Sequence, residues 1–509
     1  MGGISAERLL HSRVDPSGEA LRFLDRSLSG RRPSCLLVLG GGEDWLSQLA
    51  RDRLPGSLIL SLQFDPSCRG RERPGADLRW YPDEGTDLSA LLYAAVPDRL
   101  DGGIAVLSWK PSERAFPDSA ALVFRVVRRT LEELTSDAAT TRYWSRRWMK
   151  NALTNFLDTD RYLDPPRGSP PIVVAAAGPS LDQALAALRP FRNRIRLWAL
   201  SSASGACLRA GWRPELIACT DPGFWADRHF DALLRESPEN PPPLAAHLTS
   251  RIPPRARALF PRVLLSPPET PESDLAAAAG LPILTVPARG TAAGDTLALA
   301  RASTRGAVIA AGLDLGSRDL RSHCRPYGFD SQVLRPEGRL RPGLSLVWER
   351  ETAAFPVRFE GWRRGRSFDL YAAGLCTDPE GAIRRFLPSP IPVEGTVPLV
   401  PEDLETLLAG DLQQPETRAE GMEAPGRTRR AALALAILKS WEAEAETAVS
   451  GSAGTPLSSR SRRLLYALGG SEAAAFLAEA ARGVREEDQA RRARAAVRRS
   501  VLELGKLAV

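Results

Sequence analysis

The chain has 509 residues, 43% of them apolar and 25% charged, a balance that fits a globular protein of two or three domains. Lys and Arg total 68 against 61 Asp and Glu, a formal net charge of +7. This modest excess suits anionic small ligands or an acidic partner and falls short of a nucleic-acid footprint, so no nucleic acid is expected. No stretch approaches the roughly 18 apolar residues of a membrane span. The start, Met1-Gly2-Gly3-Ile4-Ser5-Ala6-Glu7, lacks the charged-then-apolar order of a secretory signal, and Arg31-Arg32 precedes a run that reads as a strand. A cytoplasmic protein with no membrane span is expected. The six cysteines, Cys35, Cys68, Cys207, Cys219, Cys324 and Cys376, never approach C-x-x-C spacing and read as small apolar side chains.

Ser34–Leu39, Gly40-Gly41-Gly42, a helix-like stretch from Asp44 and Leu58–Leu62 near Asp65 trace a dinucleotide-type βαβ outline, although G-G-G lacks G-x-G-x-x-G spacing. Ile104–Leu107 suggests another strand, and Ala120–Leu134 has helical periodicity. A second helix, Trp144–Leu157, puts Trp148, Asn151 and Asn155 on one face, to line a cleft or to fix the helix against its neighbours. The apolar run Ile172–Ala177 then stops at Gly178-Pro179-Ser180 and restarts as a helix over 181–188, with Ser180 expected at the N-cap.

Alternation continues with strands at Arg196–Leu200, Glu215–Thr220, Ala245–Thr249, Val263–Ser266, Ile283–Val286, Ala307–Ala311 and Asp369–Ala373, and helices at Ala203–Gly211, Trp225–Leu234 and Thr291–Thr304. Strands alternating with helices predict an α/β fold with a doubly wound, mostly parallel central sheet that binds ligands at the carboxyl ends of its strands. The predicted organisation is a Rossmann-like N-terminal domain at 1–139, a central α/β domain at 140–386, a Pro-rich linker at 387–401 and an all-helical C-terminal domain at 402–509. Its helices are expected at Thr428–Val449, Arg460–Arg482 and Val484–Leu507. The last carries Arg491, Arg492, Arg494, Arg498 and Arg499, either a solvated face or a docking surface for an acidic partner.

Polar chemistry gathers at four strand or helix ends: Gly178-Pro179-Ser180, Thr220-Asp221-Pro222, Arg289-Gly290-Thr291, and Gly312-Leu313-Asp314-Leu315 followed by Ser322-His323-Cys324-Arg325-Pro326-Tyr327-Gly328. Helix-start amides at Gly178–Ser180 and Gly290–Thr291 suit a phosphate. Trp148…Asn151…Asn155, Ala176-Ala177-Gly178-Pro179-Ser180-Leu181, Asp221-Pro222, Gly290-Thr291 and Gly312-Leu313-Asp314-Leu315 with His323 together resemble the motility-associated factor (Maf) flagellin glycosyltransferases. Their central domain is shared with 6-hydroxymethylpterin pyrophosphokinase-like (MptE-like) proteins. The resemblance covers about residues 140–385, and the N-terminal βαβ also looks like that family's first domain. Ala176 stands where the family pattern G-x-G-P-S-L has its first glycine, and a methyl group there would crowd a phosphate or tighten the pocket.

The resemblance implies transfer of a nonulosonic (sialic-acid-like) sugar from a CMP-activated donor to Ser or Thr hydroxyls of flagellin, on a sheet resembling that of bacterial sialyltransferases. It assigns nucleotide-sugar binding to the central domain at 140–386 and implies Ala177, Gly178, Pro179, Ser180, Gly290, Thr291 and Asp314 as nucleotide-binding. His323 is implied as the base, near its working pKa, with His229 second; Asp221 holds ribose hydroxyls or a metal. No resident cofactor is expected, and a divalent metal is left open. The partners implied are flagellin and the nucleotide sugar. Two alternatives stand beside this reading: an ATP-dependent pterin pyrophosphokinase, whose magnesium would need more carboxylates than Asp221 and Asp314 supply, and a non-catalytic nucleotide-binding factor of the flagellum.

Overall fold

Continuous apolar runs, with no polar residue at alternate positions, form strands buried on both faces, and this chain uses them twice. The computed structural model describes residues 10–164, 167–236, 239, 241–267, 270–286, 289–375, 383–409, 421–451, 457–482 and 486–509. They divide into two units, Met1–Arg146 with Leu438–Leu504, and Arg147–Ile437 with Gly505–Val509.

The first unit holds a four-stranded parallel sheet of β1 (Cys35–Leu39), β2 (Leu58–Leu62), β3 (Leu78–Trp80) and β4 (Ile104–Ser108), in the order β3-β2-β1-β4. Strand, Gly-rich turn, helix and strand follow the expected outline, but the turn is filled by its own side chains. Asp44, fully buried, accepts from Ser61 Oγ at 2.5 Å, Ser47 Oγ at 3.2 Å and Arg79 Nε at 2.7 Å. Gln63 spans the turn, accepting from Gly42 N at 3.0 Å and donating to Gly42 O at 3.1 Å. A carboxylate therefore already sits against the glycines, where a cofactor phosphate would have to lie.

The helices Ser459–Ala481 and Glu487–Gly505 belong to this unit and form no separate domain. Arg462, nearly buried, binds Asp98 at 3.1 Å and Asp101 at 2.6 Å, and Tyr466 donates to the same Asp101. The expected basic face of the last helix is largely neutralised. Arg491 and Arg492 pair with Asp488, Arg494 with Glu487 and Arg498 with Glu446. The expected boundary at 139/140 falls inside one continuous helix, Pro117–Asp158.

The second unit is built on a mostly parallel sheet. Its strands are β5 (Arg161–Leu163), β6 (Ile172–Ala175), β7 (Arg196–Leu200), β8 (Leu216–Cys219), β9 (Leu244–His247), β10 (Arg262–Ser266), β11 (Ile283–Thr285), β12 (Val308–Ala311), β15 (Ile383–Phe386), β16 (Thr396–Leu399) and β17 (Gly421–Glu423). A separate hairpin pairs β13 (Val357–Phe359) with β14 (Trp362–Arg364). The order is β16-β15-β12-β6-β7-β8-β9-β10-β5-β17 with β11 beside β10, and only β17 runs antiparallel. Strand order reverses at β6, whose neighbours are β7 on one side and β12 on the other, so the crevice beyond the carboxyl ends of β6 and β12 is the switch point of the sheet.

Two expectations fail here. Asp369–Ala373 is not a strand but the middle of the helix Arg366–Leu375. There Asp369 accepts from Arg364 Nε and Nη2 at 3.0 and 2.7 Å, and Phe368 packs edge-on against Phe355. Residues 387–401 are not a linker, since they carry β16, paired in register with β15. Pro398 is tolerated because β16 is an edge strand. The Arg385 guanidinium holds the segment between β15 and β16, donating to Ile391 O at 2.6 Å and Ser389 Oγ at 2.7 Å.

Candidate active site

Parallel register brings β6 and β12 to an end together, and their ladder continues one step further, Ala176 N donating to Ala311 O and Gly178 N to Gly312 O, both at 2.8 Å. Gly312 has a φ of +69°, and a Cβ there would lie 2.5 Å from Ala176 O, so this crossing admits only glycine. A Cβ on Gly178 would lie 2.4 Å from both Gly312 O and Asp314 Oδ2. Gly178 thus makes room for a carboxylate of the protein.

That carboxylate changes the reading of the Gly-Pro-Ser loop. Ser180 occupies the expected N-cap position of the helix Leu181–Leu188, but its side chain makes no capping bond: its hydroxyl donates to Asp314 Oδ1 and its N–H to Asp314 Oδ2, each at 2.7 Å. Pro179 has no N–H, and the N–H of Leu181 returns to Gly178 O at 3.1 Å. Asp314 is nearly buried, which raises its pKa, while the two bonds from Ser180 and the charges of Arg385 and Arg318 pull it back. In this arrangement Gly178, Pro179, Ser180 and Asp314 form a clamp across the switch point, and the amides of Gly178 and Ser180 are committed within the protein.

Asn151 and Asn155 are likewise anchors. The Asn151 amide donates to Pro222 O at 3.2 Å and Thr249 O at 2.9 Å, and that of Asn155 to Leu248 O at 2.7 Å and Ser250 O at 2.8 Å. Asn151 thus ties together the loops that follow β8 and β9, and Asn155 grips the loop after β9 at two points. Asp221, at the end of β8, is half-buried and accepts from Gly223 N at 2.7 Å; burial raises its pKa, opposed by that bond and by Arg147. Gly290, with φ +70°, leads into Thr291, which caps the helix Ala292–Ser303 by accepting from Gly294 N at 3.0 Å.

His323 lies beside the clamp, because the next residue, Cys324, donates its N–H to Ala177 O at 2.7 Å. Its ring stacks on Tyr327 with centroids 4.0 Å apart and planes 15° from parallel. Burial raises the pKa of Tyr327, an effect that the charge of Arg350 opposes and that of Asp221 reinforces. His229, almost buried, stacks on Phe329 at 4.7 Å, with its Nδ1 unpartnered among the described residues. A Cβ on Gly328 would lie 2.7 Å from that nitrogen. His229 is thus closely packed on its Nδ1 side by Gly328 and stacked on Phe329.

Burial pulls both His323 and His229 down from 6.5 to about 4, and the charge of Arg350 pushes His323 the same way. His323 is therefore neutral at physiological pH but a weaker base than its unperturbed value suggests. Sequence reasoning assigned no role to His247, although it ends β9 on the same edge; its Nε2 stands 3.4 Å from Asp295 Oδ2, and both are buried. Asp295 Oδ1 also accepts from Arg289 N at 3.0 Å. Roles for Ser322, Glu351 and Arg350 were missed too, since they depend on a helix that no local motif connects to His323.

Among the described residues no group of three or more His, Cys, Asp or Glu could hold a metal ion. Asp314, one of the two carboxylates the sequence offers the kinase alternative, spends both oxygens on Ser180. Five cysteines are buried and free, and burial raises their pKa; Cys376 lies outside the described residues. No described helix is long and apolar enough to cross a membrane.

Residues 146–319 match the family model described as 6-hydroxymethylpterin diphosphokinase MptE-like. An uncharacterized protein of Treponema pallidum (strain Nichols) is 28% identical over 240 residues, which are 47% of this chain and 52% of that protein, so the chain spans about half the length of this curated relative. The structure of a Maf glycosyltransferase from Magnetospirillum magneticum AMB-1 aligns with a TM-score of 0.53 and 14% identity, over 99% of this chain and 84% of that one. The chain thus carries an MptE-like domain at residues 146–319 and shares the fold of a Maf glycosyltransferase.

Proposed function

We propose that the protein is a glycosyltransferase that moves a nonulosonic sugar from a CMP-activated donor to Ser or Thr hydroxyls of flagellin in the cytoplasm, supporting flagellar assembly and motility. The observation that supports this reading is the stacking of His323 on Tyr327, with the His323 segment bonded through Cys324 N to Ala177 O at the start of the Gly-Pro-Ser loop. The acceptor hydroxyl attacks the anomeric carbon, the bond from that carbon to the phosphate oxygen of CMP breaks, and the hydroxyl proton passes to His323. Asp221 accepts hydrogen bonds from donor hydroxyls. With the Gly178 and Ser180 amides already spent, phosphate charge falls to the helix start at Gly290–Thr291 and to the exposed guanidinium of Arg350.

The fold of the Maf glycosyltransferase supports this over the pyrophosphokinase reading, and so does the engagement of Asp314, which leaves a magnesium ion too few carboxylates. The test is to incubate the protein with a CMP-activated nonulosonic acid and flagellin, following free CMP and the mass of flagellin. CMP release with a matching mass gain is expected, and His323→Ala should lower the rate by roughly 10²-fold or more. Failure with the cytidine donor, together with pyrophosphorylation of a pterin by ATP and magnesium, overturns the proposal.

A further inference from the structure

Ser322 donates its only hydroxyl proton to Glu351 Oε1, at 2.9 Å, and its oxygen stands 3.0 Å from His323 Nδ1. The second oxygen of Glu351 accepts from Ser317 Oγ at 2.5 Å. A carboxylate only accepts, so the protons of both hydroxyls point toward Glu351, and the lone pairs of Ser322 are left to meet the imidazole. The atom they meet must then carry a hydrogen. Neutral His323 is accordingly the tautomer with its proton on Nδ1, and Nε2 holds the free lone pair.

We propose that Ser322 and Glu351 are positioning residues for His323, forming a Glu–Ser–His relay that fixes Nε2 as the proton acceptor and supports the imidazolium once Nε2 is protonated. This rests on the reading of His323 as the base. When the acceptor proton arrives at Nε2, Nδ1–H keeps its bond to Ser322, and the hydroxyl transmits the charge to Glu351. The one covalent change at the relay is the new Nε2–H bond, formed as the acceptor O–H bond breaks, and no proton moves between His323, Ser322 and Glu351.

The surroundings make the relay rigid. Glu351, Ser322 and Ser317 are all buried. Glu351 projects from the helix Gly343–Ala354, while Ser317 is held by backbone bonds in both directions with Arg363 of β14, at 3.0 and 2.8 Å. The stack on Tyr327 fixes the plane of the ring, and Ser322 fixes its rotation within that plane. Burial opposes protonation of His323, and the charges of Arg350, one residue before Glu351, and of His229 act in the same direction. A buried carboxylate behind a hydroxyl is the counterweight that a histidine in so unfavourable a setting requires.

The experiment uses the full chain with ¹⁵N-labelled histidine, whose four residues, His11, His229, His247 and His323, give few enough signals to assign by comparison with His323→Ala. Long-range ¹H–¹⁵N correlation at pH 7.5 should show His323 protonated on Nδ1. In Ser322→Ala that tautomer should be lost, and Ser322→Thr, which keeps the hydroxyl, should restore it. With a CMP-activated nonulosonic acid and flagellin, Ser322→Ala should lower kcat by roughly 10²-fold with KM within about twofold, and Glu351→Gln should lower kcat in the same way. An Nε2–H tautomer in the native protein overturns the proposal, and so does an unchanged tautomer in Ser322→Ala. Should the Nδ1–H tautomer and its dependence on Ser322 be found in a protein that consumes no CMP-activated sugar, the relay stands and the transferase reading alone falls.

Discussion

The clamp between Ser180 and Asp314 gives the sharpest test, because a ligand loop and a structural clamp respond oppositely to mutation in the absence of ligand. Ser180→Ala removes the bond to Asp314 Oδ1 and leaves that oxygen buried without a donor, while the backbone bond to Oδ2 persists. A hydrogen bond to a charged group contributes about 1.5–3 kcal/mol, so a loss of about 2 kcal/mol is expected. Asp314→Ala orphans two buried donors of Ser180 and opens a cavity, for about 3 kcal/mol or more. Asp314→Asn is predicted to cost about 1 kcal/mol or less, since its carbonyl accepts from Ser180 N while its amide donates to Ser180 Oγ. The assay is urea unfolding of the full chain without nucleotide, read by tryptophan fluorescence, to which Trp198, buried in β7 of the same sheet, contributes. The order Asp314→Ala, Ser180→Ala, Asp314→Asn, from most to least destabilised, is required. Stability of Ser180→Ala within about 0.5 kcal/mol of the native protein would refute the clamp and return the loop to a ligand.

The two histidines held near 4 make stability depend on pH. Between about pH 6.5 and 4 the unfolded chain takes up protons that folded His229 and His323 refuse, so stability is full above 6.5 and falls as pH drops toward 4, by roughly 3 kcal/mol per histidine at the limit. Urea titrations across this window should show a shallower fall for His229→Phe, and an unchanged slope would show that His229 does not carry its share. Asn155→Ala leaves the carbonyls of Leu248 and Ser250 without their donor and should cost about 2 kcal/mol in the same urea assay, whereas Asn155→Gln, with the amide retained but displaced by a methylene, should cost less. Equal losses in the two variants would show that packing, rather than the two hydrogen bonds, is what Asn155 supplies.

The strands of the central sheet were legible because a strand covered on both faces must be apolar at every position. Ile172–Ala175 and Val308–Ala311 announce themselves this way, as do residues 197–200 after the half-buried Arg196. The same rule misreads Asp369–Ala373, since a run this short fits a half-buried helix equally well. Prolines misled at 387–401 because an edge strand leaves half its backbone outside the ladder, where a missing N–H costs nothing. At the site, strand ends located Ser180, Asp221, Asp314 and His323 on one edge of the sheet. What they could not convey was pairing: Asp314 lies 134 residues from the serine it binds, and Glu351 29 residues from Ser322.

These pairings separate residues that look equivalent in the chain. A phosphate loop needs N–H groups aimed at empty space, and an anchor needs them satisfied. By that criterion Asn151, Asn155, Ser180 and Asp314 hold the loops of the carboxyl edge in place, each through bonds to another segment of the same unit. His323 differs, for its Nδ1 is met by a hydroxyl whose proton is already spent on Glu351, and no hydrogen bond reaches its Nε2 among the described residues. One nitrogen is used to orient the ring and the other is left with a lone pair, the division a proton acceptor requires. Ala176 also finds its place in this account. Its carbonyl approaches the Cα of Gly312 so closely that the glycine indispensable to the crossing belongs to β12's end, and a methyl group on residue 176 is accommodated where the strand is already buried.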